Sequence, residues 1–123
     1  MVNVKQDTRS LRACGGRGAW IQEGEGVMMA AYVITDITIT DPAGYEEYRK
    51  LAAPTIEAYG GKFVVRGGKV ETLEGDWSPK RLVVVEFESF EQAKRWYGSQ
   101  EYGAAKSVRQ KTAVTTMIMV EGV

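Results

Sequence analysis

The chain has 123 residues, 44% of them hydrophobic, which suits one domain with one buried core, and its 16 Lys and Arg balance 16 Asp and Glu. Zero net charge gives no electrostatic ground for binding nucleic acid or an anionic membrane, and no apolar run of about 18 residues offers a transmembrane helix. The sequence holds no histidine, which excludes a Ser-His-Asp triad, a histidine-cysteine zinc site and a histidine-ligated haem within one chain, and leaves carboxylates, tyrosine, lysine, arginine or a borrowed cofactor for any chemistry.

Residues 1–28 differ from the rest. Lys5, Arg9, Arg12 and Arg17 alternate with Gly15, Gly16, Gly18, Gly24 and Gly26 without a sustained helix or strand period. The stretch lacks the apolar segment of a signal peptide, and Asp7, Glu23 and Glu25 argue against a transit peptide. We expect an upstream extension, poorly ordered or outside the native domain, with Met28-Met29 as the natural start. Cys14 is the lone cysteine and has no partner for an internal disulfide, so a reducing cytoplasm is the expected compartment.

Ala30 to Thr40 is rich in β-branched residues and predicts a strand. Alternation places Tyr32, Ile34, Asp36 and Thr38 on one face and Val33, Thr35, Ile37 and Ile39 on the other. Both faces are apolar near the start, as in a central strand covered on both sides. Asp41-Pro42 opens a helix as N-cap and first helical residue. Tyr45, Tyr48, Leu51, Ala52, Thr55, Ile56 and Tyr59 form its apolar stripe, with Glu46, Glu47, Arg49 and Lys50 mainly on the wet side. Pro54 should kink this helix, and Gly60-Gly61 should end it.

Lys62 to Arg66 predicts a short strand, resumed at Val70 to Leu73, with Gly67-Gly68 between them as a hairpin turn or a bulge. Residues 74–79 are a turn-rich connection, and Arg81 to Glu88 is the plainest strand of the chain. Ser89-Phe90-Glu91-Gln92 reads as a reciprocal capping box before a second helix that buries Phe90, Ala93, Trp96 and Tyr97. Gly98 stops it, and Ser99 can cap a further helix through Tyr102, Ala105 and Val108. Ala113 to Val120 is the last strand.

The order is β-α-β-β-α-β, an α+β fold of ferredoxin-like type. Right-handed crossovers put both helices on one face of a four-stranded antiparallel sheet with the first and third strands central. The other face remains apolar. Covering it with a second copy removes that surface from water at roughly 25 cal/mol per Å², so a homodimer, a dimeric α/β barrel, is expected. The alternative is that the N-terminal segment covers it.

Ala-Tyr-Val-Ile at 31–34, Thr-Asp-Pro at 40–42, Glu-Tyr-Arg at 47–49, Ala-Pro-Thr-Ile at 53–56, Gly-Gly-Lys-Phe at 60–63 and Val-Arg-Gly-Gly at 65–68 form an ordered set. Leu-Glu-Gly-Asp-Trp at 73–77, Glu-Phe at 86–87, Trp-Tyr-Gly-Ser at 96–99, Glu-Tyr at 101–102 and Val-Glu-Gly-Val at 120–123 complete it. Over residues 30–123 this set resembles the family catalogued as domain of unknown function 1330. The resemblance implies a dimeric α/β barrel of ferredoxin-like halves and no particular reaction. Related barrels include cofactor-free monooxygenases, isomerases and haem-degrading proteins, an analogy of fold only.

In such barrels a pocket opens between the sheet and its helices. Asp36 and Glu86 interrupt apolar central strands, where a carboxylate would have a raised pKa and could serve as a general base. The plainer reading puts each at a strand end beside water or an arginine. Antiparallel order sets Glu86 near Tyr32 and Asp36 near the other end, so they are not expected to cooperate. Arg66 could clamp an anion or pair with Glu71 or Glu86. Tyr45, Tyr48, Tyr59, Trp96, Tyr97 and Tyr102, with Tyr32, could line a site for a flat ligand or simply fill core and interface. Arg109 is a further ligand candidate whose plainer role is a solvated charge. The aliphatic third strand lacks the stacking rings of an RNA-recognition motif. What remains is a cofactor-free, metal-free enzyme acting on a small hydrophobic or aromatic molecule, or a non-catalytic ligand-binding or structural dimer.

Overall fold

The computed structural model describes residues 29–123, and the expected N-terminal extension lies outside them. The elements are β1 (Ala31–Ile39), α1 (Pro42–Ala58), β2 (Lys62–Arg66), β3 (Arg81–Phe87), α2 (Phe90–Tyr97), α3 (Gln100–Thr112) and β4 (Ala113–Glu121). The strands form one sheet in the order β2-β3-β1-β4 with every neighbouring pair antiparallel, so β1 and β3, both rich in β-branched residues, take the centre.

Period-two alternation divides the sheet into two faces. Ala31, Val33, Val85 and Phe87 turn to the helices and are buried with Ala52 and Ile56 of α1, Ala93 and Trp96 of α2, and Tyr102 and Ala105 of α3. All three helices therefore cover one face. Trp96 lies at the centre, its ring centroid 4.1 Å from that of Tyr102 and 5.3 Å from that of Phe87. Its indole N–H donates to the Thr55 hydroxyl at 3.0 Å, and that hydroxyl donates to the Ala52 carbonyl at 2.7 Å. The polar handle of a large buried ring is thus satisfied inside the core.

The helices start where the capping chemistry requires. Asp41, Ser89 and Ser99 accept from the backbone N–H of Gly44, Gln92 and Tyr102 respectively. The reciprocal half of the expected capping box does not form: the Gln92 amide donates instead to the Tyr59 carbonyl at 3.0 Å, which ties α2 to the end of α1. α1 runs unbroken through Pro54 and ends where Gly60 takes φ +79°.

Between β2 and β3 the chain departs from expectation. Residues 70–73 form no strand, and Gly67-Gly68 is neither a two-residue hairpin nor the bulge. Gly67, at φ +74°, makes a last ladder bond by donating its N–H to the Leu82 carbonyl at 2.9 Å, then turns the chain away from the sheet. The following loop is closed by its own contacts: the Thr72 hydroxyl donates to the Trp77 carbonyl at 2.7 Å. β2 stays an edge strand, and residues 70–73 do not pair with its free side.

The face away from the helices carries Ile34 of β1, Leu82 and Val84 of β3, Val65 of β2, and Val114, Ile118 and Val120 of β4. Val114 and Ile118 are 67% and 56% exposed. This face is apolar as expected, and the loop after β2 reaches it through Trp77, whose indole N–H donates to Asp36 at 2.8 Å.

Candidate functional site

The ladder between β2 and β3 decides which side chains point under the helices. Arg81, Val83 and Val85 share the helix face of β3, since Val85 pairs with the buried Val33. On β2, Phe63 stands opposite Val85 and Arg66 opposite Val83, so both turn the same way. In a regular strand, residues three apart point to opposite faces. Here the register shifts between Phe63 and Val65, with Val64 as the extra residue, and this bulge returns Arg66 to the face of Phe63. The Arg66 guanidinium carbon lies 4.0 Å from the Phe63 ring centroid.

Between this face and α1 lies a cleft, partly open to solvent, whose enclosed part has a volume of about 50 Å³. Its apolar walls come from Val33, Val83 and Val85 of the sheet, Ala52, Ala53 and Ile56 of α1, and Phe63, Trp96 and Met117. Its polar groups are Tyr45, Tyr48, Arg49, Arg66 and Arg81, with Thr35 on the floor. Arg49 is held by Glu46 of its own helix at 3.0 Å. Arg81 lies against the backbone of Gly67, and its Nε is buried with no hydrogen-bond partner among the described residues.

A polar cluster continues inward from the cavity. The rings of Tyr45 and Tyr48 are 5.2 Å apart, and the Tyr48 and Tyr102 hydroxyls share a hydrogen bond at 2.9 Å. Arg109, 4% exposed, donates to the Thr115 hydroxyl at 2.6 Å, and its Nε also lacks a partner among the described residues. Burial pushes the phenols of Tyr45, Tyr48 and Tyr102 above their ordinary range. For Tyr45 the neighbouring Arg81 works against that rise most strongly, with Arg49 and Arg109 adding smaller effects in the same direction. For Tyr48 the adjacent Tyr102 adds to the rise. Near neutral pH all three are protonated hydroxyls that can donate hydrogen bonds, and none serves as a base.

Of the residues singled out in the sequence, the cavity gathers Tyr45 and Arg66, with Tyr48 and Trp96 from the aromatic set. It does not gather Asp36 or Glu86. Both stand on the opposite sheet face, Glu86 across from Tyr32 and Asp36 across from Leu82. Asp36 accepts from Trp77, and Glu86 lies 3.8 Å from the Lys62 ammonium. Tyr32 shares their face. Tyr102 is wholly buried in the core, and Tyr97 packs beside it under the Lys106 ammonium, 3.9 Å from the ring centroid. Arg109 is buried, so the expectation of a solvated charge is corrected: Tyr102, Ala105 and Arg109 recur on the inner side of α3 and carry the guanidinium inward. Sequence reasoning missed Arg49, assigned to the wet side, and Arg81, whose signal was its parity with Val83 and Val85. Among the described residues no three His, Cys, Asp or Glu side chains group as for a metal ion, and no helix is long and apolar enough to cross a membrane.

A family model described as "Domain of unknown function (DUF1330)" matches residues 30–123. No curated protein matches the chain. Among solved structures it is similar to a protein of unknown function from Rhodopseudomonas palustris, at 19% identity and TM-score 0.64 over 77% of this chain and 83% of that one. It is also similar to SnoaB, a cofactor-independent oxygenase from Streptomyces nogalater, at 13% identity and TM-score 0.52 over 74% and 90%. A putative antibiotic biosynthesis monooxygenase from Caulobacter crescentus gives 16% and 0.51 over 79% and 92%. At these identities the likeness is one of fold.

Proposed function

This chain belongs to the domain of unknown function 1330 family, and on that premise we propose that it is a homodimeric α/β-barrel protein that binds a small hydrophobic or aromatic organic molecule between α1 and the sheet. The observation that carries this reading is the cavity beneath α1: an apolar lining interrupted by a few convergent polar groups is the common form of a small-molecule site.

The lining favours binding over catalysis by the chain's own groups. It contains no carboxylate, its tyrosines hold their protons, and its arginines are permanently charged. Catalysis there would require a molecule that releases its own proton readily, with Tyr45 or Tyr48 donating a hydrogen bond to the resulting oxyanion. The likeness to two proteins named as oxygenases supports this second reading at the level of fold. Asp36 and Glu86 have no part in either reading, because they face away from the cavity. The apolar face on which they stand supports self-association.

A thermal-shift screen of small aromatic acids, amides and quinones tests the binding reading, with Ala53→Trp as the blocked control. Ligands should raise Tm of the parent chain and leave Ala53→Trp unmoved. A shift of the same size in both, or in neither, contradicts it.

A further inference from the structure

We infer that the molecule taken by this cavity is an organic anion, a monocarboxylate with an apolar body, whose charged head sits between Arg66 and Arg81. The inference rests on the binding reading above and names its ligand class.

The charges around the cavity are of one sign. Arg49, Arg66 and Arg81 line it, and no Asp or Glu does. Among the described residues Arg49 alone of the three has a carboxylate within 4 Å. Arg66 stands opposite Val83, and Arg81 lies two residues from Val83 on the same face, so the two guanidinium chains are diagonal neighbours across the β2–β3 ladder. That spacing is within reach of long side chains.

Both are held in place by features of the fold. The Val64 bulge turns Arg66 inward over Phe63, and the Gly67 backbone lies against the Arg81 guanidinium, where a Cβ would collide with it. The buried Nε of Arg81 lacks an acceptor among the described residues. An unpaired buried donor is costly, so an incoming acceptor gains more there than at an exposed arginine. A carboxylate supplies two oxygens in one plane, matching a guanidinium fork. Behind the arginines the walls are Val33, Val83, Val85 and Ile56, which demand an apolar remainder. The neighbouring phenol of Tyr45 stays protonated and offers a donor to the same head.

Calorimetric titration with benzoate, its neutral isostere benzamide, and acetate tests the assignment on the full chain. Benzoate should bind at least tenfold more tightly than benzamide or acetate, and weaken as salt is raised. Arg66→Leu, at an exposed position on the edge strand, should erase the preference for benzoate over benzamide while leaving Tm near that of the parent. Arg81→Lys, which keeps the charge but loses the fork, should weaken benzoate severalfold. Equal binding of benzoate and benzamide, both abolished by Ala53→Trp, would overturn the anion assignment and leave the cavity reading standing. Unchanged benzoate affinity in Arg66→Leu would overturn it too, and no binding of any of the three at millimolar concentration would sink both readings.

Discussion

Gly67 offers a substitution with controls supplied by the fold itself. Its φ of +74° is a conformation that costs an L-residue about 1–2 kcal/mol, and a Cβ built there meets the Arg81 guanidinium. Gly67→Ala therefore carries two penalties: backbone strain, and displacement of Arg81 from its rotamer at about 0.5–1.5 kcal/mol. Gly60 and Gly75 share the backbone condition, at φ +79° and +87°, but nothing lies within 4 Å of the position their Cβ would take. Gly60→Ala and Gly75→Ala carry the first penalty alone. Gly68 has neither, so Gly68→Ala should be neutral or slightly stabilising. Urea unfolding should rank Gly67→Ala as the most destabilised of the four, by about 1.5–3.5 kcal/mol in total. Gly67→Ala alone should lose benzoate binding, because Arg81 has moved. If Gly67→Ala and Gly75→Ala lose equal stability and Gly67→Ala binds like the parent, then Arg81 does not depend on Gly67 for its position.

Thr55→Val keeps volume but leaves the Trp96 indole N–H, in a residue only 2% exposed, without its acceptor. It should cost about 1–3 kcal/mol in urea unfolding, while Thr55→Ser stays within about 1 kcal/mol of the parent. Raising pH tests the buried phenols: below the unfolded-chain tyrosine pKa near 10 both states keep these protons, and above it the unfolded chain releases protons that the folded chain retains. Stability should hold up to about pH 10 and then fall by up to about 1.4 kcal/mol per pH unit per phenol, less steeply in Tyr48→Phe. A slope above pH 10 that Tyr48→Phe leaves unchanged would refute that. The open sheet face predicts a dimer by light scattering at micromolar concentration, shifted toward monomer by Ile118→Glu. A parent chain that is monomeric at that concentration contradicts the proposed self-association.

Much of the fold is legible because local rules act unopposed. Asp41, Ser89 and Ser99 cap helices as their chemistry requires, and the β-branched strands β1 and β3 occupy the centre of the sheet. The strand expected at 70–73 fails because sequence records a preference for extended backbone but not the turn at Gly67 that carries the chain off the sheet. The site is less legible for two reasons. Asp36 and Glu86 attract attention as charges in apolar strands, yet their parity with Ile34 and Val84 places them on the face away from the helices. Arg66 carries the reverse difficulty: counting by twos from Phe63 points it outward, and the bulge at Val64 that turns it inward has no glycine to announce it. Arg109 on a charged helix reads as a surface residue until α3 is seen to bury the side on which it lies.

The most direct test of the account is amide chemical-shift mapping on the labelled chain titrated with benzoate. The predicted result is a set of perturbations centred on Ala52 and Ala53 of α1 and on Arg66, Arg81 and Val83 at the β2–β3 edge, with Tyr32, Asp36 and Glu86 unmoved. Perturbations centred instead on Asp36, Glu86 and the apolar face would contradict the placement of the site under α1.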